Sequence, residues 1–260
     1  MDHKAPLAAT PLPDDSSSDF AGSNSPQKTF GQVLMYYFTG GLYFIGGWSF
    51  LVGSILYYPG YANIYDIVGE GSLIGAWLFV VGCITFLTGS CVDTFNARLC
   101  EGDDIVAYFP FVCSLTNVIG SVQFLVGAVY FVPVVYATAS MVGCYLFITG
   151  CSCFVAAILV DVARMLKTGH IMSQIWWFLC CIFNCVGNIL FIVGSYYFLP
   201  RFLAPENDPN GDIATANTIF AVNNFVVGSV AFVLAPTFQL VALYKDANTI
   251  SADMSKEPQV

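Results

Sequence analysis

Charge is scarce in this chain. Only 10% of its 260 residues are Asp, Glu, Lys or Arg, whereas 57% are apolar. Soluble domains carry about 25% charged residues, so the composition predicts a chain that lies in lipid. The net charge of −9 also excludes nucleic acid as a partner, because phosphates are bound by grouped Lys and Arg, which this chain lacks.

Histidine is almost missing, and no Lys, Arg, Asp or Glu lies deep in an apolar run. His3 and His170 are the two histidines, and both lie outside the apolar runs. No Ser/His/Asp or Cys/His set can therefore be assembled for nucleophilic catalysis. We expect neither an enzyme nor a bound metal or other cofactor. The ten cysteines are expected to be free thiols that pack as small apolar side chains.

Charge-free runs predict the transmembrane helices. A spanning helix needs about 20 apolar residues. The longest run exceeds one span and is divided at Pro133, because proline ends helices. Span length favours the plasma membrane over endomembranes. The predicted fold is an all-α integral membrane protein with six transmembrane helices, at Val33–Tyr57, Ser72–Val92, Val106–Phe131, Ala137–Val160, Ile175–Leu199 and Ile219–Leu243.

Basic residues indicate the orientation of these spans. All Lys and Arg except Arg201 fall on the side that carries both chain ends, so both termini are expected in the cytosol. Residues 1–30 are rich in Asp, Ser and Pro and predict a disordered acidic tail with no signal peptide. Residues 246–260 predict a second cytosolic tail.

Acidic residues recur near the cytosolic ends of the second and fourth predicted spans. Asp93 and Asp161 directly follow the second and fourth spans, and Gln239 lies near the end of the sixth. We expect Asp93 to pair with Arg98 and Asp161 with Arg164. Such pairs would fix the inner ends of two helices at the membrane interface.

A pattern of glycines repeats three times along the chain. Gly46–Pro59, Gly120–Pro133 and Gly187–Pro200 each read G-x6-G-x5-P. Glycines seven residues apart lie on one helix face and allow a neighbouring helix to approach closely. We predict three helical hairpins, at 31–100, 101–170 and 171–245, related by an axis along the membrane normal. The predicted packing glycines are Gly46, Gly53, Gly75, Gly82, Gly120, Gly127, Gly143, Gly150, Gly187, Gly194 and Gly228.

Two segments of the first hairpin carry a family resemblance. Trp48–Ser54 (WSFLVGS) in its first helix, and Gly75–Gly82 (GAWLFVVG) with Phe86 in its second, resemble the YrhK-like domain, a two-helix membrane module. Asn224–Ser229 repeats part of the pattern in the third hairpin. The resemblance implies a hairpin fold, here in three tandem copies, and implies no activity or catalytic residue.

The polar residues within the spans leave two interpretations open. They could form a ring on the axis that binds or passes a small neutral solute, or they could form hydrogen bonds between helices, worth about 0.6 kcal/mol each. We expect a structural or interaction component of the lipid bilayer, as a homo-oligomer or with another membrane protein. The alternatives are a channel or carrier for a small neutral solute, and a lipid-binding protein. The candidate residues are Asn117, Gln123, Asn184, Asn188, Asn223 and Asn224.

Overall fold

The computed structural model describes residues 30–64, 67–97, 109–168, 174–206 and 208–254. Arg98 and nearly all of the predicted acidic tail at 1–30 lie outside the described residues. Within the described part, six helices are long and apolar enough to cross a membrane. The prediction of six helices long and apolar enough to span a membrane, in a mainly helical chain, is confirmed.

Seven α-helices make up the described chain. Helix α6 is a single short turn, and the other six are the long helices of the bundle. A 3-10 turn at Pro59–Tyr61 and a two-stranded antiparallel hairpin, β1 at Asn63–Ile64 and β2 at Ile67–Val68, join α1 to α2. The helices are α1 at Phe30–Leu56, α2 at Glu70–Ala97, α3 at Phe109–Tyr130, α4 at Pro133–Thr168, α5 at Ile175–Tyr197, α6 at Pro200–Leu203 and α7 at Asp212–Met254.

Three prolines mark the ends of the first helices. Helices α1, α3 and α5 each end three residues before a proline, at Pro59, Pro133 and Pro200. Each proline then opens the next element, where its missing N–H and fixed φ are tolerated. Helix α4 therefore begins at Pro133 rather than at the predicted Ala137, with a non-helical residue, Ala139 (φ −150°, ψ 51°), inside it.

The last helix differs most from its prediction. Helix α7 begins at Asp212, seven residues before Ile219, and continues past Leu243 to Met254. Its start is held by Asp208, whose Oδ2 accepts a hydrogen bond of 2.8 Å from the backbone N–H of Ala214. A carboxylate at a helix N-terminus pairs with an N–H that has no partner within the helix. Polar residues thus belong to this helix although they lie outside its apolar run.

The six long helices form a closed ring. The main contacts within sequential pairs are α1 with α2, α3 with α4, and α5 with α7. The pairs in turn meet through α2 with α3, α4 with α5, and α7 with α1. Each long helix therefore has two main neighbours, and the first and last helices close the ring.

The predicted packing glycines lie where helices approach. At all eleven of them, an added β-carbon would lie 3.0 Å or less from an atom of another helix. At Gly53 and Gly194 the approached atoms include the backbone oxygens of Gly75 and Ala221, each at 3.0 Å. Without side chains between them, the two backbones of a pair pack directly against each other.

Phenyl side chains fill the centre of the helix bundle. Each long helix contributes one fully buried phenylalanine to what we call the central phenylalanine cluster. The ring centroids of Phe50, Phe124 and Phe191, from α1, α3 and α5, are 5.8, 6.0 and 5.8 Å apart. Such separations are typical of favourable aromatic pairs. The cluster consists of Phe50, Phe79, Phe124, Phe147, Phe191 and Phe225.

Candidate functional site

A cavity of about 540 Å³ lies at one end of the bundle. We call this the terminal end, because α1 begins there and α7 runs out of the bundle there. The cavity walls include Tyr36 near the start of α1, Pro110 near the start of α3 and Trp177 near the start of α5. Ligand sites in proteins typically enclose about 300–1,000 Å³, so the space suits a small molecule.

Aromatic rings close the cavity toward the opposite end. Phe86 and Phe154 line its inner part. Their ring centroids lie 5.2 Å from Phe50 and 5.8 Å from Phe124. Both of those rings belong to the central phenylalanine cluster, which occupies the axis beyond the cavity. Packed aromatic rings therefore lie between the cavity and the opposite end of the bundle.

The lining residues recur at matching positions of the glycine pattern. Tyr43, Asn117 and Asn184 each precede the first glycine by three residues and line the cavity. Asp93, Asp161 and Gln239 also line the cavity, and they follow Gly82, Gly150 and Gly228 by eleven residues each. Each pair of long helices thus contributes polar groups from the same two positions.

The six candidate polar residues do not converge on one place. Asn117, Asn184 and Asn188 line the cavity. Asn224 is partly exposed and donates to the backbone oxygen of Phe220, one turn earlier on its own helix, at 2.8 Å. Three of the six candidate residues therefore line the cavity, and the polar ring itself stays a prediction.

Two further candidates lie away from the cavity lining. The Oδ1 atom of Asn223 accepts a hydrogen bond from the hydroxyl of Tyr58. Gln123 has a buried Oε1 with no hydrogen-bond partner among the described residues. Neither side chain is among the residues that line the cavity.

Asn188 is the most buried amide of the cavity. Its side chain is 3% exposed, and its Nδ2 donates to the backbone oxygen of Asn184 at 2.8 Å. A carbonyl can only accept, so the assignment of nitrogen and oxygen in this amide is fixed by its neighbour. Within the described part of the chain, the Oδ1 of Asn188 has no donor.

Asp93 lies in a short hydrogen-bonded chain. The hydroxyl of Tyr43 donates to its Oδ2 at 2.7 Å and lies 3.5 Å from the Oγ of Ser90. Ser90 in turn lies 3.2 Å from the Oγ of Ser121, which links α2 to α3. The other carboxylate oxygen, Oδ1, is buried and has no partner in the described ranges.

The second carboxylate of the cavity has a basic neighbour. Arg164 Nη2 lies 3.5 Å from Asp161 Oδ1, one turn apart on α4. Both side chains are about one-third exposed, so the pair contributes little to stability. The structure brings these two residues together, whereas the expected partner of Asp93, Arg98, lies outside the described residues. The charged lining residues are therefore two carboxylates and one guanidinium.

Three cysteines complete one wall of the cavity. Cys113, Cys180 and Cys181 line it, and all three are free thiols. In the parts of the chain that the structure describes, no three His, Cys, Asp or Glu residues are grouped so as to hold a metal ion.

Sequence analysis missed the aromatic elements of this site. Phe50, Phe124 and Phe191 each follow the first glycine of the pattern by four residues. That regular spacing was the available signal for the cluster. The hydrogen bond from Tyr43 to Asp93 and the position of Trp177 in the cavity wall depend on how the helices are rotated, and no sequence signal indicates them.

Comparison with protein families identifies the chain. The family model described as YrhK-like protein matches residues 35–97 and 174–243, just over half of the sequence. The chain belongs to the YrhK-like family. In this YrhK-like protein each matched segment covers one packed pair of long helices, α1 with α2 or α5 with α7. Residues 98–173, which include α3 and α4, lie outside the match. No curated protein and no solved structure matches this chain.

Proposed function

We propose that this YrhK-like protein binds a small polar solute from the cytosolic side of a membrane. The observation that supports the proposal is the cavity of about 540 Å³ at the terminal end, where Asn117, Asn184 and Asp93 converge. Polar groups inside a membrane are costly unless they have a function or a partner. A pocket with a few converging polar groups is the usual form of a small-molecule site.

The proposed architecture is three hairpins around one axis. It is supported by the recurrence of lining residues at equivalent positions and by the nearly equal separations of 5.8, 6.0 and 5.8 Å among Phe50, Phe124 and Phe191. The middle hairpin, formed by α3 and α4, would be a diverged copy of the two that the family model matches. Orientation follows from the excess of Lys and Arg on the side of the termini.

A binding role is favoured over an open channel. The central phenylalanine cluster occupies the axis, so a solute in the cavity meets packed rings rather than a path to the other side. The cavity therefore acts as a receptor site, or as the inward-facing site of a carrier whose outward state would require those rings to separate. A structural or interaction role and lipid binding stay predictions from the sequence.

Native mass spectrometry of the full chain, released from lipid nanodiscs, tests this proposal. Ser114 lines the cavity, and Ser114→Phe would fill part of it. Ser152→Phe makes the same change on an exposed face, where the Ser152 hydroxyl donates to the Ile148 backbone oxygen. We expect a small molecule to be retained by the wild type and by Ser152→Phe, and to be lost from Ser114→Phe.

The variants must be compared as folded proteins. Thermal unfolding of each sample identifies a variant that has lost its structure, and Cys181→Phe provides a second way to fill the same cavity. Identical small-molecule profiles for the wild type and both cavity-filling variants would contradict a binding role for this pocket.

A further inference from the structure

Two cavity-lining side chains each hold a buried acceptor atom that has no donor within the described residues. One is the Oδ1 of Asp93 and the other is the Oδ1 of Asn188, and neither has a hydrogen-bond partner within the described residues. Both side chains line the same cavity. A buried acceptor without a donor costs about 1–3 kcal/mol, and more if it is charged. The side chains that line the pocket thus include two acceptors with an unmade hydrogen bond, one of them a carboxylate, and a ligand with N–H groups could supply the missing donors.

The net charge of the cavity lining is negative, which favours a cationic ligand. Asp93, Asp161 and Arg164 are its charged lining residues. The guanidinium of Arg164 lies next to Asp161, which leaves the charge of Asp93 unbalanced among the described lining residues. Tyr36, Tyr43 and Trp177 add aromatic faces, which attract organic cations.

Resting on the proposed function, we infer that the cavity binds a small primary or secondary ammonium compound, with Asp93 and Asn188 accepting hydrogen bonds from its N–H groups. A quaternary ammonium fits less well, because it has no N–H to donate. A metal ion fits less well too, because a site for it needs a compact set of several ligands, and the described residues hold no such group of His, Cys, Asp or Glu.

Three matched four-carbon probes test the inference. They are 4-amino-1-butanol, 1,4-butanediol and 4-hydroxybutyrate, which share one hydroxyl end and differ in charge at the other. Binding is measured by calorimetry on the full chain in nanodiscs made of zwitterionic lipid. We expect the amine to bind at least tenfold more tightly than the diol, as a charge-assisted hydrogen bond provides. A fourth probe, the N-trimethylated form of the amine, should bind more weakly than the amine itself.

Variants assign the contact to its residues. Asp93→Asn keeps the shape and can still accept from Tyr43, but it removes the charge, so the tenfold preference for the amine should disappear. Asn188→Leu should weaken the amine more than the diol. Asp212→Asn makes the same charge change in the first turn of α7, at the other end of the bundle, and should leave the preference unchanged.

Each other outcome overturns the inference in a recognisable way. Equal binding of diol and amine, unaffected by Asp93→Asn, would overturn the ammonium class and leave the binding role in place. Tighter binding of 4-hydroxybutyrate would indicate that Arg164 dominates the pocket. Amine binding only in Arg98→Gln would mean that the chain itself neutralises Asp93. If none of the probes binds, the ammonium inference fails, and the native mass spectra separately decide whether the cavity binds anything.

Discussion

Gly47 of α1 faces the backbone oxygen of Phe232 in α7. A β-carbon on Gly47 would lie 2.5 Å from that oxygen and 2.8 Å from its carbonyl carbon. Pro236 follows Phe232 by four residues inside α7, and proline has no N–H to donate to the carbonyl one turn earlier. The Phe232 carbonyl therefore lacks its helical hydrogen bond within α7. The backbone of α1 packs against this same carbonyl.

Replacing Gly47 by Ala should destabilise the protein, by about 1–3 kcal/mol as other overpacked sites do. The atoms in the way are backbone, so the two helices would have to separate. Gly41→Ala is the control, because a β-carbon there has no atom within 4 Å and alanine favours the helix. Thermal unfolding in detergent compares the two. Equal midpoints would show that the α1–α7 contact tolerates a methyl group.

Leucine at Gly127 or Gly194 should prevent stable folding. Their β-carbons would lie 2.7 Å from the ring of Phe147 and 2.8 Å from that of Phe225, and both rings belong to the central phenylalanine cluster. Close-packed rings have no free space to move into. Gly41→Leu is the matched control. Size-exclusion profiles and unfolding midpoints of the two leucine variants should differ from those of the control. Unchanged profiles would refute the packing argument.

Alanine in place of Phe191 should cost about 3–5 kcal/mol of unfolding free energy. Phe191 is fully buried and contacts Phe50, Phe124 and Phe225 with centroids 6.0, 5.8 and 5.1 Å away. Phe95→Ala removes the same ring from a position that is 59% exposed and should change stability little. The measurement is unfolding by denaturant in mixed micelles. A loss of unfolding free energy no larger than that of Phe95→Ala would show that the central phenylalanine cluster does not determine the stability of the bundle.

Cys181 should react with a water-soluble thiol reagent from the cytosolic side only. It is partly exposed and lines the cavity, whereas Cys83 and Cys151 are fully buried. Variants that retain one of these cysteines, labelled in intact cells and in inside-out vesicles, give the comparison. Labelling of Cys181 in intact cells would reverse the proposed orientation, and labelling of Cys83 would contradict the closed packing around it.

The spans were predictable because their signal is local. Apolar length and the backbone restriction of proline act within one helix, so the ends near Pro59 and Pro200 follow from sequence. The cavity was not predictable, because it depends on how each helix rotates about its axis and on which neighbours it meets. Asn117 and Asn224 are both polar residues in spans, yet one lines the cavity and the other bonds its own helix.

The contact between the first and the last helix also constrains biosynthesis. Ser54 of α1 and Ser229 of α7 are fully buried against each other, with their hydroxyl oxygens 3.1 Å apart. While the ribosome is still producing the intervening helices, this small-residue face of α1 is open to lipid or to another nascent chain. The bundle becomes a closed unit only when α7 inserts, so a chain that stops before Ser229 leaves α1 able to pair with the last helix of a second copy.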